Sequence, residues 1–486
     1  MIWTREQLYT TLEETPRKVL TELKKQVDAC PWRQKFHIQP STGLLNDPNG
    51  FAFYQGEYHL FYQWFPLGPV HGLKYWYHLK SKDLVTWKNL GIAIRPDYDY
   101  DNYGVYSGSG IEHQGDLYLM YTGNHRDKHW VRHPMQCIAI MHPNGEVEKL
   151  SHPVIKDVPE GYTEHFRDPK VWRQGENFYA VIGAQRQNQS GTAVIYKSPD
   201  LLNWSFCKEL STELKDFGYM WECPDYFELD GKGIFIFSPQ GLEATSMKYQ
   251  NIYQSGYLIG NLLNIETFEF SHGEFHELDH GFDFYAPQTM EDDKGRRILI
   301  GWMGLPDILY PTDKNGWAHC LTLPRELKII NGHLYQIPVE ELKTLRKSKQ
   351  NLSTTLKSLT SFGHGTNYEL ECEFTDIETQ EVGLNLRVGE GEKTVIKYSR
   401  KEEKIILDRT LSGEAIATEY GTTRAITYNK DTLKLQIFMD TSSIEIFINN
   451  GEHVMTSRIF PTNTKNKIEL FTASGTCQIN INKWDL

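Results

Sequence analysis

GEYHLFYQ, at residues 56–63, is a glycine turn followed by an alternating, aromatic-rich strand. The same signal returns as GDLYLMYTG (115–123), GENFYAVIGA (175–184), GKGIFIFSPQ (231–240) and GRRILIGWM (295–303). The starting glycines are 59, 60, 56 and 64 residues apart, a spacing that accommodates four short strands and their turns, which is one blade of a β-propeller. Five copies imply five blades. A second echo, SKDLVTW (81–87) and SPDLLNW (198–204), recurs after 117 residues, or two periods.

Outward from these repeats, residues 4–29 have helical spacing closed by Pro31, so a short N-terminal helix is expected beside the propeller. The charged segment ELKTLRKSKQ (341–350) reads as a short linking helix. Beyond it, YELECEF, KIILDRT, LKLQIFM, SSIEIFIN and KIELFTAS alternate between polar turns, the pattern of a β-sandwich without a catalytic cluster of its own. The expected fold is therefore all-β: an N-terminal helical segment (1–30), a five-bladed propeller (31–340), a linker (341–352) and a C-terminal sandwich (353–486).

The net charge of −12 argues against nucleic acid or an anionic membrane as a partner, since both favour basic surfaces. A small ligand fits better, and 12 Trp and 27 Tyr supply rings of the kind that stack on sugars. No run of 18 apolar residues predicts a membrane span, and the charged N-terminus lacks the apolar core of a secretory signal. Seven scattered Cys without a CxxC pair read as reduced thiols of a cytoplasmic protein. The oligomeric state leaves no signal.

Three acidic motifs stand out: NDPNG around Asp47, FRDPK around Asp168 and WECPD around Glu222. They precede the turn glycine of their repeat by nine, seven and nine residues, so they are expected at one phase of their blades and at one end of the channel. In the other two repeats that phase is held by YSGSG around Ser107 and DFYAPQ around Tyr285. Asp-Pro also marks ordinary turns; three acids at one phase favour a site. Asn46 and Asn49 flank Asp47 and would keep it ionised, which suits a nucleophile. Trp221, Cys223 and Pro224 give Glu222 an apolar setting that would hold a proton for general acid work. Arg167 beside Asp168 favours its ionised form, which suits transition-state stabilisation.

FHIQPSTGLLNDPNG (36–50), FYQWFPLG (61–68), YSGSG (106–110), FRDPKVW (166–172), WECPD (221–225), DFYAPQT (283–289) and GWAHCLTLPREL (316–327) together resemble glycoside hydrolase family 32, the invertases, inulinases and sucrose-6-phosphate hydrolases. The resemblance implies a retaining β-fructofuranosidase acting on sucrose or sucrose 6-phosphate through a covalent fructosyl-enzyme, with Asp47 as nucleophile, Glu222 as acid/base and Asp168 as stabiliser. It also implies fructose contacts from Asn46, Gln63, Ser107, Arg167 and Tyr285. No cofactor or metal is called for, because the carboxyls carry the proton and the covalent bond. Two alternatives remain: fructan hydrolysis or fructosyl transfer by the same residues, and a noncatalytic sugar-binding propeller, which would lack one of the acids. One departure is Leu44-Leu45, where many members read Trp-Met; LLNDPNG with HGLKYWYH (71–78) is similar to the intracellular bacterial branch.

A basic loop, GNHRDKHWVRHP (123–134), follows the second repeat strand. If it overhangs the pocket, Arg126, Lys128 or Arg132 would receive a sugar phosphate, and Lys74 is a further candidate. The alternative is a solvated loop partly balanced by Asp127. His125, His129 and His133 lack a carboxylate set for a metal.

Overall fold

The computed structural model describes residues 3–462 and 466–486 of the chain. Five antiparallel sheets follow one another through the first two thirds, and two six-stranded sheets form the remainder. The first strands of the five sheets are Gly43–Tyr54, Val105–His113, Tyr162–Gln174, Met220–Leu229 and Tyr285–Glu291. Each packs against the next, and the fifth packs back onto the first, so the strands close a ring. The arrangement is consistent with a propeller. Each repeat glycine forms the tight turn into the second strand, with φ between 63° and 89° at all five. Trp317–Ala318 adds a short parallel strand beside Gly43–Leu44, so the last sheet's segment also holds the first.

The two C-terminal sheets enclose an apolar core that includes Leu370, Phe374, Leu384, Ile437, Ile446 and Ile479. This is the inward half of the alternation seen in the sequence. The segment 341–350 departs from the expected linking helix. It is a 3-10 turn, Glu340–Leu345, followed by a strand, Lys347–Leu356, that pairs with the C-terminal strand Gly475–Asp485. Edge pairing along that strand outweighs the weak helical preference of so short a segment. The N-terminal segment holds two helices, Arg5–Tyr9 and Arg17–Asp28, broken before Arg17 by Pro16. The first is fixed at its start by a Thr4/Gln7 capping box, and at its end Leu73 N donates to Leu8 O at 2.8 Å. Among the described residues no helix is long and apolar enough to cross a membrane.

Where the sandwich meets the ring, Gly281 allows an approach no side chain would permit, since a Cβ there would lie 2.1 Å from the Thr456 carbonyl oxygen. Phe438, Phe447 and Val454 of the sandwich join Tyr58, Leu60, Ile298 and Val339 in one apolar cluster. The ring and the sandwich therefore share a close-packed interface.

Candidate active site

All five first strands lose register with their hairpin partner at the same depth. Asn46 and Asp47 oppose Gln63, and Tyr106 and Ser107 oppose Thr122. Asp168 and Pro169 oppose Ile182, Cys223 and Pro224 oppose Phe237, and Ala286 and Pro287 oppose Gly301. These are β-bulges, which bend a strand and re-aim a side chain. Asp168, Cys223 and Ala286 take left-handed φ values of 67°, 48° and 46°, each just before proline. A small cavity at the ring's centre is lined by Pro48, Gly108, Pro169, Pro224 and Pro287, one residue from each strand.

The bulges build two tiers. The lower tier is Asp47, Ser107, Asp168 and Cys223. Ser107 donates to Asp47 Oδ2, and the Cys223 thiol lies 3.5 Å from that oxygen and 3.7 Å from Asp168 Oδ2. Cys223 N also donates to Asp168 Oδ2 at 3.0 Å. The upper tier, one residue earlier on each strand, is Asn46, Tyr106, Arg167, Glu222 and Tyr285. Arg167 sends Nε and Nη2 to Glu222 Oε1 at 2.9 and 2.7 Å. Tyr285 OH and Gln240 Nε2 reach Glu222 Oε2 at 2.7 and 2.9 Å. Asn46 Nδ2 donates to Asp47 Oδ1 at 3.1 Å and to Gln63 Oε1 at 2.9 Å.

The expected residues Asp47, Asp168, Glu222, Asn46, Gln63, Ser107, Arg167 and Tyr285 thus come together, with three corrections. Counting from the turn glycine gave Glu222 and Asp47 the same phase, yet Glu222 lies one residue higher. The hairpins differ in length, and the proline after Asp47, Asp168 and Cys223 is the true marker of equivalence. Arg167 hydrogen-bonds Glu222 while its charge still lowers Asp168, so Glu222 sits among polar and charged donors and not in the apolar setting expected from its sequence neighbours. Asn49 donates to the Asp47 backbone carbonyl, not its carboxylate, and accepts from Gly108 N, so it clamps two strands together.

Burial raises the Asp47 carboxyl, opposed by the Ser107 bond. Asp168 is pushed up to about 7, first by burial and then, against the Arg167 charge, by the negative charges of Glu222 and Asp47. Burial likewise takes the Cys223 thiol well above its ordinary range. Asp47, Asp168 and Cys223 offer ligand atoms within 4.8 Å of one another. The Cys223 thiol is within donor reach of one oxygen on each carboxylate.

Lys74 is not on the rim. It is buried, donates from Nζ to Asn46 Oδ1 at 2.7 Å, and is drawn down to about 7 by burial against the pull of Asp47. Its hydrogen-bond partner Asn46 belongs to the upper tier, so Lys74 lies beside the carboxyl cluster and not in the basic loop. The basic loop divides in the same way. Arg126 and Arg132 face each other on the hairpin, while Lys128 is exposed at the tip. Sequence reasoning missed Cys223 and Gln240 as partners of the carboxyls. Cys223 was legible from Pro224, but Gln240 sits on a second strand and left no signal.

Residues 37–338 match the glycosyl hydrolases family 32 N-terminal domain, and residues 341–485 match that family's C-terminal domain. The chain is 48% identical over its whole length to a sucrose-6-phosphate hydrolase of Staphylococcus xylosus, covering 98% of that protein. It is 42% identical to the Bacillus subtilis enzyme of the same name, across 98% of this chain and 99% of that one. The solved sucrose-6-phosphate hydrolase of Lactobacillus gasseri superposes with a TM-score of 0.95 at 41% identity, covering 100% of this chain and 99% of that chain. A Bombyx mori GH32 beta-fructofuranosidase solved with sucrose gives 0.84 at 33% identity, over 98% and 99% of the two chains. This chain belongs to glycosyl hydrolase family 32.

Proposed function

We propose that the chain is a retaining β-fructofuranosidase that hydrolyses sucrose and sucrose 6-phosphate to fructose and glucose or glucose 6-phosphate. Its closest supporting observation is the lower tier itself: the half-buried Asp47 and buried Asp168 carboxyls side by side, with a third, arginine-bound carboxyl one residue above. In the reaction, an Asp47 oxygen attacks C2 of the fructosyl unit as the bond from C2 to the glucosyl oxygen breaks. Glu222 gives that oxygen its proton. Glu222 then takes a proton from water, which attacks C2 and frees Asp47. Asp168 accepts hydrogen bonds from fructose hydroxyls. Such a cycle begins with one proton on Glu222. Asn46, Gln63, Ser107, Arg167 and Tyr285 line the fructosyl pocket in this reading.

The same proposal takes residues 31–340 as a five-bladed propeller, one blade per closed-ring sheet, after an N-terminal segment (1–30) and before the 3-10 turn Glu340–Leu345 and a sandwich whose first strand begins at Lys347. Seven unpaired thiols are in keeping with a cytoplasmic enzyme. Sugar relatives and the acidic surface favour a small-molecule substrate over nucleic acid. The noncatalytic alternative needs a missing acid, and all three are present.

The test separates the roles. Glu222→Gln should depress sucrose cleavage by about 100-fold or more, because glucose is a poor leaving group without a proton. With fructosyl fluoride the first step should lose far less and an adduct should accumulate. Mass spectrometry should find the fructosyl mass on the peptide containing Asp47. A label on Asp168 would reverse the assignment.

A further inference from the structure

The strand that carries Thr122 runs from the pocket floor to its rim. Thr122 Oγ1 accepts from Asp168 N at 3.0 Å, and two residues on, Asn124 Nδ2 donates to the Tyr106 hydroxyl at 3.2 Å. Arg126 is the next residue on that face, about 13 Å beyond Thr122 at the rise of a β-strand. Arg132 is its register partner on the returning strand. The histidines that flank them turn the other way. His125 bonds the Asp99 carbonyl at 2.7 Å, and His133 bonds Asp127 at 3.3 Å.

Two arginines directly opposite each other repel unless an anion lies between them. None does. Among the described residues neither guanidinium pairs with a carboxylate, and Arg126 Nε and Arg132 Nε are both buried without a hydrogen-bond partner. The loop's own acid, Asp127, is occupied by His129 N and Val131 N at 2.8 and 2.9 Å. A third cation is added from the N-terminal helix: Arg5 stacks on Trp130 at 4.0 Å, and Arg126 lies over the same ring at 4.9 Å. Tyr9 of that helix packs edge-on against Trp130 and Tyr103, which brings its phenol beside Arg126 and Arg132.

We propose that Arg126 and Arg132, completed by Tyr9 from the N-terminal helix, form a subsite for a phosphomonoester on the leaving sugar. The inference rests on the hydrolase reading above and adds to it the group that selects a phosphorylated substrate. The rise from Thr122 to Arg126 leaves room for one hexosyl ring between the fructosyl pocket and the arginines. A phosphate carries nearly two negative charges near neutral pH, and two guanidinium forks meet it with paired hydrogen bonds. The N-terminal helix is thereby part of substrate selection, and Trp130 holds it there.

The test compares kcat/KM for sucrose 6-phosphate and sucrose in the full-length protein. Arg126→Gln and Arg132→Gln should each lower the value for sucrose 6-phosphate by about 10- to 100-fold, mostly through KM, the size expected for a lost charged hydrogen bond. Sucrose should change far less. Tyr9→Phe should show the same selectivity at several-fold, and Arg132→Lys should recover part of the loss by restoring charge without the fork. Lys128→Gln, at the exposed tip, should leave both sugars as in the wild type. Parallel losses on both sugars, or a Lys128→Gln effect as large and selective as that of Arg132→Gln, would overturn the subsite. A wild-type protein inactive on both sugars would instead overturn the hydrolase reading.

Discussion

The molecule buries charge in two places and treats it in opposite ways. At the junction of ring and sandwich, His37 sits between Asp440 Oδ2 at 2.7 Å and Glu445 Oε1 at 3.0 Å, and Arg325 meets Glu445 Oε2 at 2.6 Å. Burial alone would push His37 down, but its two carboxylate bonds outweigh burial and carry it to about 9. Burial opposes ionisation of Asp440 and Glu445 as well, and there too the cations win, so both lie below their ordinary range. In the active site three carboxyls share Arg167 and a Lys74 that is itself drawn down, and two of them are raised. The junction is matched charge that stabilises. The site is mismatched charge that persists because the bulged strands and the packed ring hold it in place, as expected of groups kept for chemistry.

The largest expected effect separates these roles. Asp47→Asn should abolish turnover of sucrose and of fructosyl fluoride together, by about 10⁴-fold or more, while the fold is retained. Initial rates on both donors beside a thermal melt decide it; a variant that keeps turning over the fluoride would remove Asp47 from the centre of the mechanism. At the junction the signs should exchange. Glu445→Gln leaves His37 and Arg325 short of a counter-charge in a close-packed interface, which costs about 3–5 kcal/mol. Denaturant unfolding should show that loss, with KM on any folded fraction little changed.

The comparison also explains what could be read from the sequence. The repeat glycines and alternating strands disclosed the ring of sheets, because both are local signals: a left-handed turn and a period of two. The sandwich was legible for the same reason. The acidic motifs identified which residues meet, since bulge and proline are written in each strand. Which charge faces which was not legible. Arg167 and Asp168 are adjacent in the chain, but a bulge sends one up to Glu222 and the other down to Cys223. The junction left no trace at all, because His37 and Glu445 are 408 residues apart and only the docked domains bring them together.

A smaller effect follows from the His37 titration. Its folded value of about 9 lies above the ordinary 6.5, so the folded state holds the extra proton. The resulting stability is complete below about pH 6.5 and is lost as pH rises through 9. Between pH 7 and 9 this amounts to about 2 kcal/mol, and it should appear as a fall in Tm that His37→Gln, already less stable, no longer shows. A variant that falls as steeply as the wild type would place the titrating group elsewhere.

The smallest expected shift is the sharpest test of the contrast, because it runs against the usual direction of mutation. Asp168 has a folded value of about 7 against an ordinary value of 3.8, so between those two limits the folded state keeps a proton that the unfolded chain has released. Stability therefore falls as pH rises from about 4 to 7, and the full cost of the ionised carboxylate persists above 7. Asp168→Asn removes that titration while preserving shape, so it should stabilise the protein at pH 8 by about 1 kcal/mol, the net of relieved repulsion and weakened bonds to Cys223. At pH 4 the native side chain is itself neutral, and the gain should disappear. Sucrose hydrolysis should be lost at both values. Thermal melts of the two proteins at pH 4, 6 and 8 measure this directly. A variant less stable than the wild type at pH 8 would mean that Asp168 is held by favourable contacts like Asp440, and that the opposition between site and junction is false.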